Sequence, residues 1–310
     1  MGKNLVMGKK VLVTGASGLV GQALIKALVD RNYAVNALSR SNRQINSPSV
    51  SFYRWDVAAG EVDPSCMEGV ECIIHLAGES IVGLPWSNRR KQAILESRTK
   101  SIGILYRLLE TVDAHEVRTV ISASAAGYYS DRGDELMTED KLPANDFLGQ
   151  TCAHWERAVD EGRMLGLRTV SLRSGVVLSP HGGVYGKLAP MIKKGLGVVP
   201  GSGTQWIPWI HIEDAVSMYI FALEHNGIHG VYNMAAPEQI TFSAFIRAIA
   251  KRYKRPLWLP KVPSFLLRAF LGQMSDMLLS STRMSVEKIR NAGFKFRYPQ
   301  INSALGALDS

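Results

Sequence analysis

Gly15, Gly18 and Gly21 recur at a spacing that can cradle phosphate, in the run Val11-Leu12-Val13-Thr14-Gly15-Ala16-Ser17-Gly18-Leu19-Val20-Gly21. Without a Cβ, Gly15 can make a tight turn, Gly18 can admit a pyrophosphate to the backbone, and Gly21 can let a helix pack closely on its strand. The N–H groups and positive dipole end at the start of that helix would face the phosphates. A dinucleotide needs a second recognition point at its ribose, and the chain offers Ser39-Arg40, with Arg43 just beyond and no acid nearby. A carboxylate there would repel a 2′-phosphate, whereas a guanidinium can hold one bidentately, so the spacing reads as NADP(H) rather than NAD. A second group of residues, Ser122, Ser124, Tyr128 and Tyr129, carries hydroxyls that could donate to a substrate oxygen beside a nicotinamide. Ser124, Tyr128 and Tyr129 are the candidate catalytic groups.

Strands and helices must position these residues. Residues 11–13 read as a strand, and Leu19, Val20, Ala23, Leu24, Ala27 and Leu28 share one face of the helix that follows. Residues 34–39 and 51–55 read as the second and third strands, the latter closed by Asp56, whose carboxylate could bond an adenine edge. A fourth strand, 72–76, ends in Leu76-Ala77-Gly78-Glu79, small residues against which a cofactor sugar could lie. His75 within it reads as a packed core histidine. A helix over 86–112, which carries Arg98, leads to a fifth strand over 119–124; Arg98, Ser122 and Ala123 complete the cofactor-binding set with Gly15 to Val20, Ser39, Arg40, Asp56 and Leu76 to Glu79. A helix over 147–165 and a sixth strand over 168–172 follow, and 231–235 reads as the last strand.

The alternation predicts an α/β protein with a doubly wound parallel sheet of about seven strands. The dinucleotide-binding domain would take residues 9–178 and 209–236. The rhythm stops over 179–208, where glycine and proline are dense, and a loop-rich cap over the strand ends is expected there. With residues 237–310, a mainly helical lobe broken by prolines over 256–263, that cap would form the substrate side.

Composition narrows the rest. The chain has 310 residues, 46% of them hydrophobic and 20% charged, which suits a large folded core rather than disorder. No apolar run reaches the length of a membrane span and the first ten residues are too short and polar for a signal peptide, so a cytoplasmic protein with no membrane partner is expected. Cys66, Cys72 and Cys152 have no metal-ligand spacing and read as reduced thiols, and no metal site is expected. The net charge of +9 is carried by short clusters such as Arg89-Arg90-Lys91 and Lys193-Lys194, without interleaved stacking aromatics, so nucleic acid is not an expected partner. A homodimer stays open.

The run from Thr14 to Gly21 with Leu76-Ala77-Gly78 resembles the extended short-chain dehydrogenases/reductases. Ser124-Ala125-Ala126-Gly127-Tyr128-Tyr129, Trp155-Glu156, Leu172-Arg173-Ser174-Gly175, Gly201-Ser202-Gly203-Thr204-Gln205-Trp206, Trp209-Ile210-His211-Ile212-Glu213-Asp214 and Ala292-Gly293-Phe294-Lys295-Phe296 resemble its YfcH-like epimerase family. The likeness covers nearly the whole chain and implies a Rossmann domain binding NADP(H), closed by a small C-terminal lobe.

One departure stands against these matches. The superfamily resembles a relay in which a tyrosine, four residues before a lysine, exchanges a proton with substrate while the lysine lowers its pKa. Counting back from Glu156 places Leu148 at the tyrosine position and Cys152 at the lysine position. Two functions follow: an oxidoreductase or epimerase-like enzyme with a substituted acid–base group, acting on a sugar or other small carbonyl compound, or a non-catalytic NADP(H)-binding redox sensor or assembly factor.

Overall fold

The computed structural model describes residues 9–40, 47–83, 85–112 and 115–309; Arg43 lies outside them. Its main sheet has eight strands: β1 (Lys10–Thr14), β2 (Ala34–Ser39), β3 (Val50–Asp56), β4 (Glu61–Val62), β5 (Val70–His75), β6 (Thr119–Ala125), β7 (Arg168–Ser174) and β8 (Gly230–Met234). Their order in space is β8-β7-β6-β5-β1-β2-β3-β4. Seven run parallel, and β4 alone pairs antiparallel, on the edge of β3. The two-residue β4 is the strand missing from the expected seven, because so short a segment has no periodicity to read.

Successive residues of a strand point to opposite faces, and β1 shows what that does. Val11 and Val13 face α1 (Leu19–Val29), with Leu24 and Leu28 in the same cluster. Leu12 faces the other way, into a cluster with Ile102 and Leu105 of α2 (Asn88–Thr111) and Trp155 of α3 (Phe147–Asp160). All of these but Trp155 are at most 1% exposed. Each such side chain contributes about 1.5–3 kcal/mol through burial.

A third cluster lies under the substrate side and joins Leu178, Tyr185, Trp209, Phe245, Ile249 and Leu305. The stretch 179–208 is more regular than its composition suggests. It holds α4 (Gly183–Lys193), which buries Tyr185, Ala189 and Ile192 at helical spacing although Pro190 sits inside it. After it come α5 (Ile212–Glu224) and α6 (Phe242–Arg252), then short helices at Ser264–Leu271, Asp276–Leu279, Glu287–Asn291 and Ile301–Leu308. The Trp209–Asp214 segment is a joint between these parts. His211 Nδ1 accepts from the Glu213 N–H at 3.2 Å and caps α5, and the Asp214 carboxylate accepts from the Arg297 and Tyr298 amides at 2.8 and 2.9 Å.

Among the described residues, no helix is long and apolar enough to cross a membrane, and no group of three or more metal-ligating side chains occurs. The three cysteines are buried and unbridged.

Candidate functional site

Register aligns the carboxyl ends of the central strands. Val13 pairs with Ala37, Thr14 with His75, and His75 with Ser122. Counting on from these pairs puts Gly15, Ser39, Leu76 and Ala123 level with one another at one edge of the sheet. That is where a doubly wound sheet binds its ligand.

The glycine turn fits a phosphate there. Gly15 has φ +66°, and a Cβ on it would lie 2.6 Å from the Leu76 carbonyl oxygen. A Cβ on Gly21 would lie 2.3 Å from the Gly15 carbonyl oxygen, so only glycine lets α1 close on the turn. At Gly18 a Cβ would touch Gly15 O at 3.2 Å and otherwise meet open space. The α1 N-terminus has neither a side-chain cap nor an acid in its first turn, leaving its positive end for an anion. Leu19 reaches across to the cap, within 3.5 Å of a Cβ built on Gly182.

A buried polar chain holds this turn in place. Thr14 Oγ1 accepts from the amides of Leu76 and Ala77, both at 3.0 Å. Its own proton therefore goes to His75 Nδ1 at 2.9 Å, which makes Nε2 the protonated ring nitrogen. Nε2 donates to Ser101 Oγ at 3.0 Å, and Ser101 donates to the Arg98 carbonyl at 2.9 Å. Burial holds the His75 pKa down at about 4, so the ring is neutral. The Arg98 side chain closes the loop after β5: Nη2 donates to Glu79 O at 3.1 Å, and the guanidinium lies against Gly78. Glu79 pairs with Arg90 at 2.9 Å. Asp56 Oδ1 accepts from the Ala58 and Ala59 amides, closing its own turn. Ser122 is fully buried and donates to Ala123 O at 2.9 Å. Arg40 is exposed at the end of β2, beside Ser39.

Beyond β6 a cleft of about 320 Å³ opens between α3 and residues 276–282. Leu148, Cys152 and Trp155 line it from α3, together with Ala125, Gly127 and Arg98. Gly127 brings the loop close to α3, since a Cβ there would lie 3.3 Å from Leu148 Cβ and 3.8 Å from Cys152 Sγ. The two relay positions thus do face the cleft, and neither has a proton to exchange at neutral pH. Burial, with the Glu156 charge adding to it, pushes the Cys152 thiol up to about 12.

Ser124, Tyr128 and Tyr129 leave one strand end together, but none of them lines the cleft. Ser124 Oγ donates to Glu156 Oε1 at 2.6 Å. Arg173 grips the same carboxylate bidentately, Nε and Nη2 each at 2.8 Å, with the two side chains 3% and 10% exposed. Burial opposes the Arg173 charge, but the Glu156 carboxylate outweighs it and raises the guanidinium pKa. Nη1 of Arg173 donates to Tyr129 Oη at 2.8 Å, and Tyr129 Oη lies 2.7 Å from Asn233 Oδ1. Tyr129 is fully buried and its phenol is pushed to about 12 by burial. That placement makes it a support for the strand ends, away from the cleft. Tyr128 is only half-buried, its ring stacked 3.4 Å from the Arg173 guanidinium carbon.

Sequence reasoning assigned no role to Glu156 and Arg173, although both sit in quoted motifs, nor to Trp155. The Trp155 indole nitrogen is buried without a hydrogen-bond partner among the described residues, and its ring lies 5.1 Å from the Arg98 guanidinium carbon.

Comparison with known proteins agrees with this geometry. A model of the NAD dependent epimerase/dehydratase family matches residues 11–235, and a domain family of unknown function (DUF1731) matches residues 262–308. The epimerase family protein YfhF of Bacillus subtilis is 34% identical over 299 residues, covering 96% of this chain and 97% of its own. The solved structure of human epimerase family protein SDR39U1 with NADPH superposes with a TM-score of 0.84 at 29% identity, covering 96% of this chain and 98% of that one. A nucleoside-diphosphate sugar epimerase from Corynebacterium glutamicum gives 0.77 at 30% identity, covering 96% of this chain and 57% of that one.

Proposed function

The chain belongs to the NAD dependent epimerase/dehydratase family, within the extended short-chain dehydrogenases/reductases, and from that premise we propose that it binds NADP(H) and acts on a small molecule held in the cleft. The observation that carries the choice of cofactor is the end of β2. Ser39 stands level with Gly15, exposed Arg40 follows it, and no carboxylate occupies the place where an NAD-binding unit would have one. The human relative solved with NADPH supports the same choice.

The reaction is oxidoreductase- or epimerase-like. Hydride chemistry belongs to the dinucleotide once it is oriented, and this chain supplies the glycine turn, the Thr14–His75 pin and the walls of the cleft. A volume of about 320 Å³ suits a sugar or another small carbonyl compound. With Leu148 and Cys152 at the relay positions, the proton donor in this reading is Tyr128, the least buried of the three residues; it follows Gly127 of the cleft lining, and its ring must swing from Arg173 toward the cleft to reach substrate. Following NADPH absorbance during a screen of carbonyl and sugar-nucleotide compounds tests it. Oxidation by one compound class is expected, slowed about a hundredfold or more by Tyr128→Phe.

The cleft wall favours a second reading, a non-catalytic NADP(H)-binding redox sensor or assembly factor, because Leu148 and Cys152 replace the usual acid–base pair. Tight NADPH binding with no oxidation by any compound would select it.

A further inference from the structure

Charge is distributed unevenly over this chain. Residues 179–212 and 239–275 contain ten Lys and Arg and no Asp or Glu, whereas the remainder is within one charge of neutral. The two segments meet in space: Pro200 bridges to Val262, and a Cβ on Gly195 would lie 3.8 Å from the Trp258 indole nitrogen. Arg247, Lys251, Arg255 and Lys261 line one open groove there, together with Leu257 and Leu259. Three residues past Lys261 begins the helix Ser264–Leu271, which buries none of its residues. Phe265 and Phe270 stand 66% and 85% exposed on it, and Trp258 is 67% exposed beside the groove. An eight-residue helix without a buried face is marginal in water. Large exposed apolar side chains rimmed by cations mark a surface that something covers.

We propose that this face of the substrate-side lobe, the cationic groove with Trp258 and the Ser264–Leu271 helix, docks on an anionic lipid surface. Charge complementarity selects the occupant. A second copy of the chain would bring a like-charged face against this one. Nucleic acid could use the cations and stack on Trp258, Phe265 or Phe270, but it would leave the exposed aliphatic side chains Met191, Leu196 and Leu266 in water, whereas acyl chains cover these and the rings alike. Interfacial binding takes an apolar wedge and a basic rim together, and both are present. Nothing spans the bilayer in this arrangement, so the absence of a spanning helix among the described residues is compatible with it.

Co-sedimentation with vesicles tests the proposal on the whole protein. Binding is expected to vesicles of phosphatidylglycerol with phosphatidylcholine, not to phosphatidylcholine alone, and to weaken with added salt. Lys251→Gln and Arg255→Gln should each weaken it about fivefold, and Phe265→Ser with Phe270→Ser about tenfold or more. These side chains are exposed, so melting temperature and NADPH binding should stay as in the natural protein. Failure of the natural protein to bind anionic vesicles would overturn the proposal, as would binding that none of these substitutions weakens. Tighter binding to a single-stranded oligonucleotide, or a dimer dissolved by the two Phe substitutions, would assign the face to another partner and equally overturn it.

Discussion

Glu156→Ala is expected to destabilise the protein by about 3–5 kcal/mol, because it strands the Arg173 charge inside the fold. Arg173 is 2% exposed and its guanidinium donates to Glu156 through two nitrogens. Removing the carboxylate leaves a desolvated cation with Tyr129 Oη and the Glu139 carbonyl as hydrogen-bond acceptors and the Tyr128 ring against its face. For a chain of this length the melting temperature should fall by about 5–8 °C. The companion Arg173→Met with Glu156→Met removes both charges and should cost much less. Urea unfolding of the three proteins measures this. A loss below about 1 kcal/mol for Glu156→Ala would show that the pair is not the anchor of the β6 and β7 ends. The same pair supports Ser124 and Tyr128, so damage to it should also reach the site.

Acid should destabilise the fold well above the range where carboxylates titrate. His75 is fully buried and neutral, with its pKa lowered to about 4 by burial; His211 is lowered to about 4 by the same cause. In the unfolded chain a histidine titrates near 6.5, so between these values the unfolded state binds more protons than the native one. Stability from these rings is therefore complete above about pH 6.5 and is lost as pH falls toward 4. For His75 the loss is roughly 3 kcal/mol, with a comparable share from His211. Urea midpoints measured from pH 7 to pH 5 should decline steadily, and His75→Gln should remove about half of that slope. A flat profile, or a slope that His75→Gln leaves intact, would contradict the placement of a neutral imidazole beneath the glycine turn.

Local pattern carried the fold a long way. The glycine turn, the amphipathic α1 and the parallel strands could be read because each is coded within a dozen neighbouring residues. The antiparallel β4 could not be read, since its two residues are ordered by their partner on β3 and by nothing in their own sequence. Helix α4 was hidden for a different reason. Pro190 and the surrounding glycines have strong local preferences, yet Tyr185, Ala189 and Ile192 gain enough from burial against α6 and the C-terminal helix to override them. At the site, counting back from Glu156 placed Leu148 and Cys152 in the cleft wall. The use made of Ser124 and Tyr129 was illegible, because their partners lie 32 and 104 residues away along the chain. Hydroxyls at a strand end look alike in sequence whether they face substrate or a buried arginine.

The central claim is that this fold holds a 2′-phosphorylated dinucleotide across the glycine turn and the end of β2. Calorimetric titration of NADPH and NADH into the natural protein and into Arg40→Ala tests it most directly. Arg40 is exposed, so the substitution should leave the fold intact. A charge-assisted contact to the 2′-phosphate is worth about 1.5–3 kcal/mol, roughly ten- to a hundredfold in affinity. The account predicts tighter binding of NADPH than NADH by the natural protein, and loss of that margin in Arg40→Ala with NADH affinity unchanged. Tighter binding of NADH by the natural protein, or equal losses for both nucleotides in the variant, would contradict it.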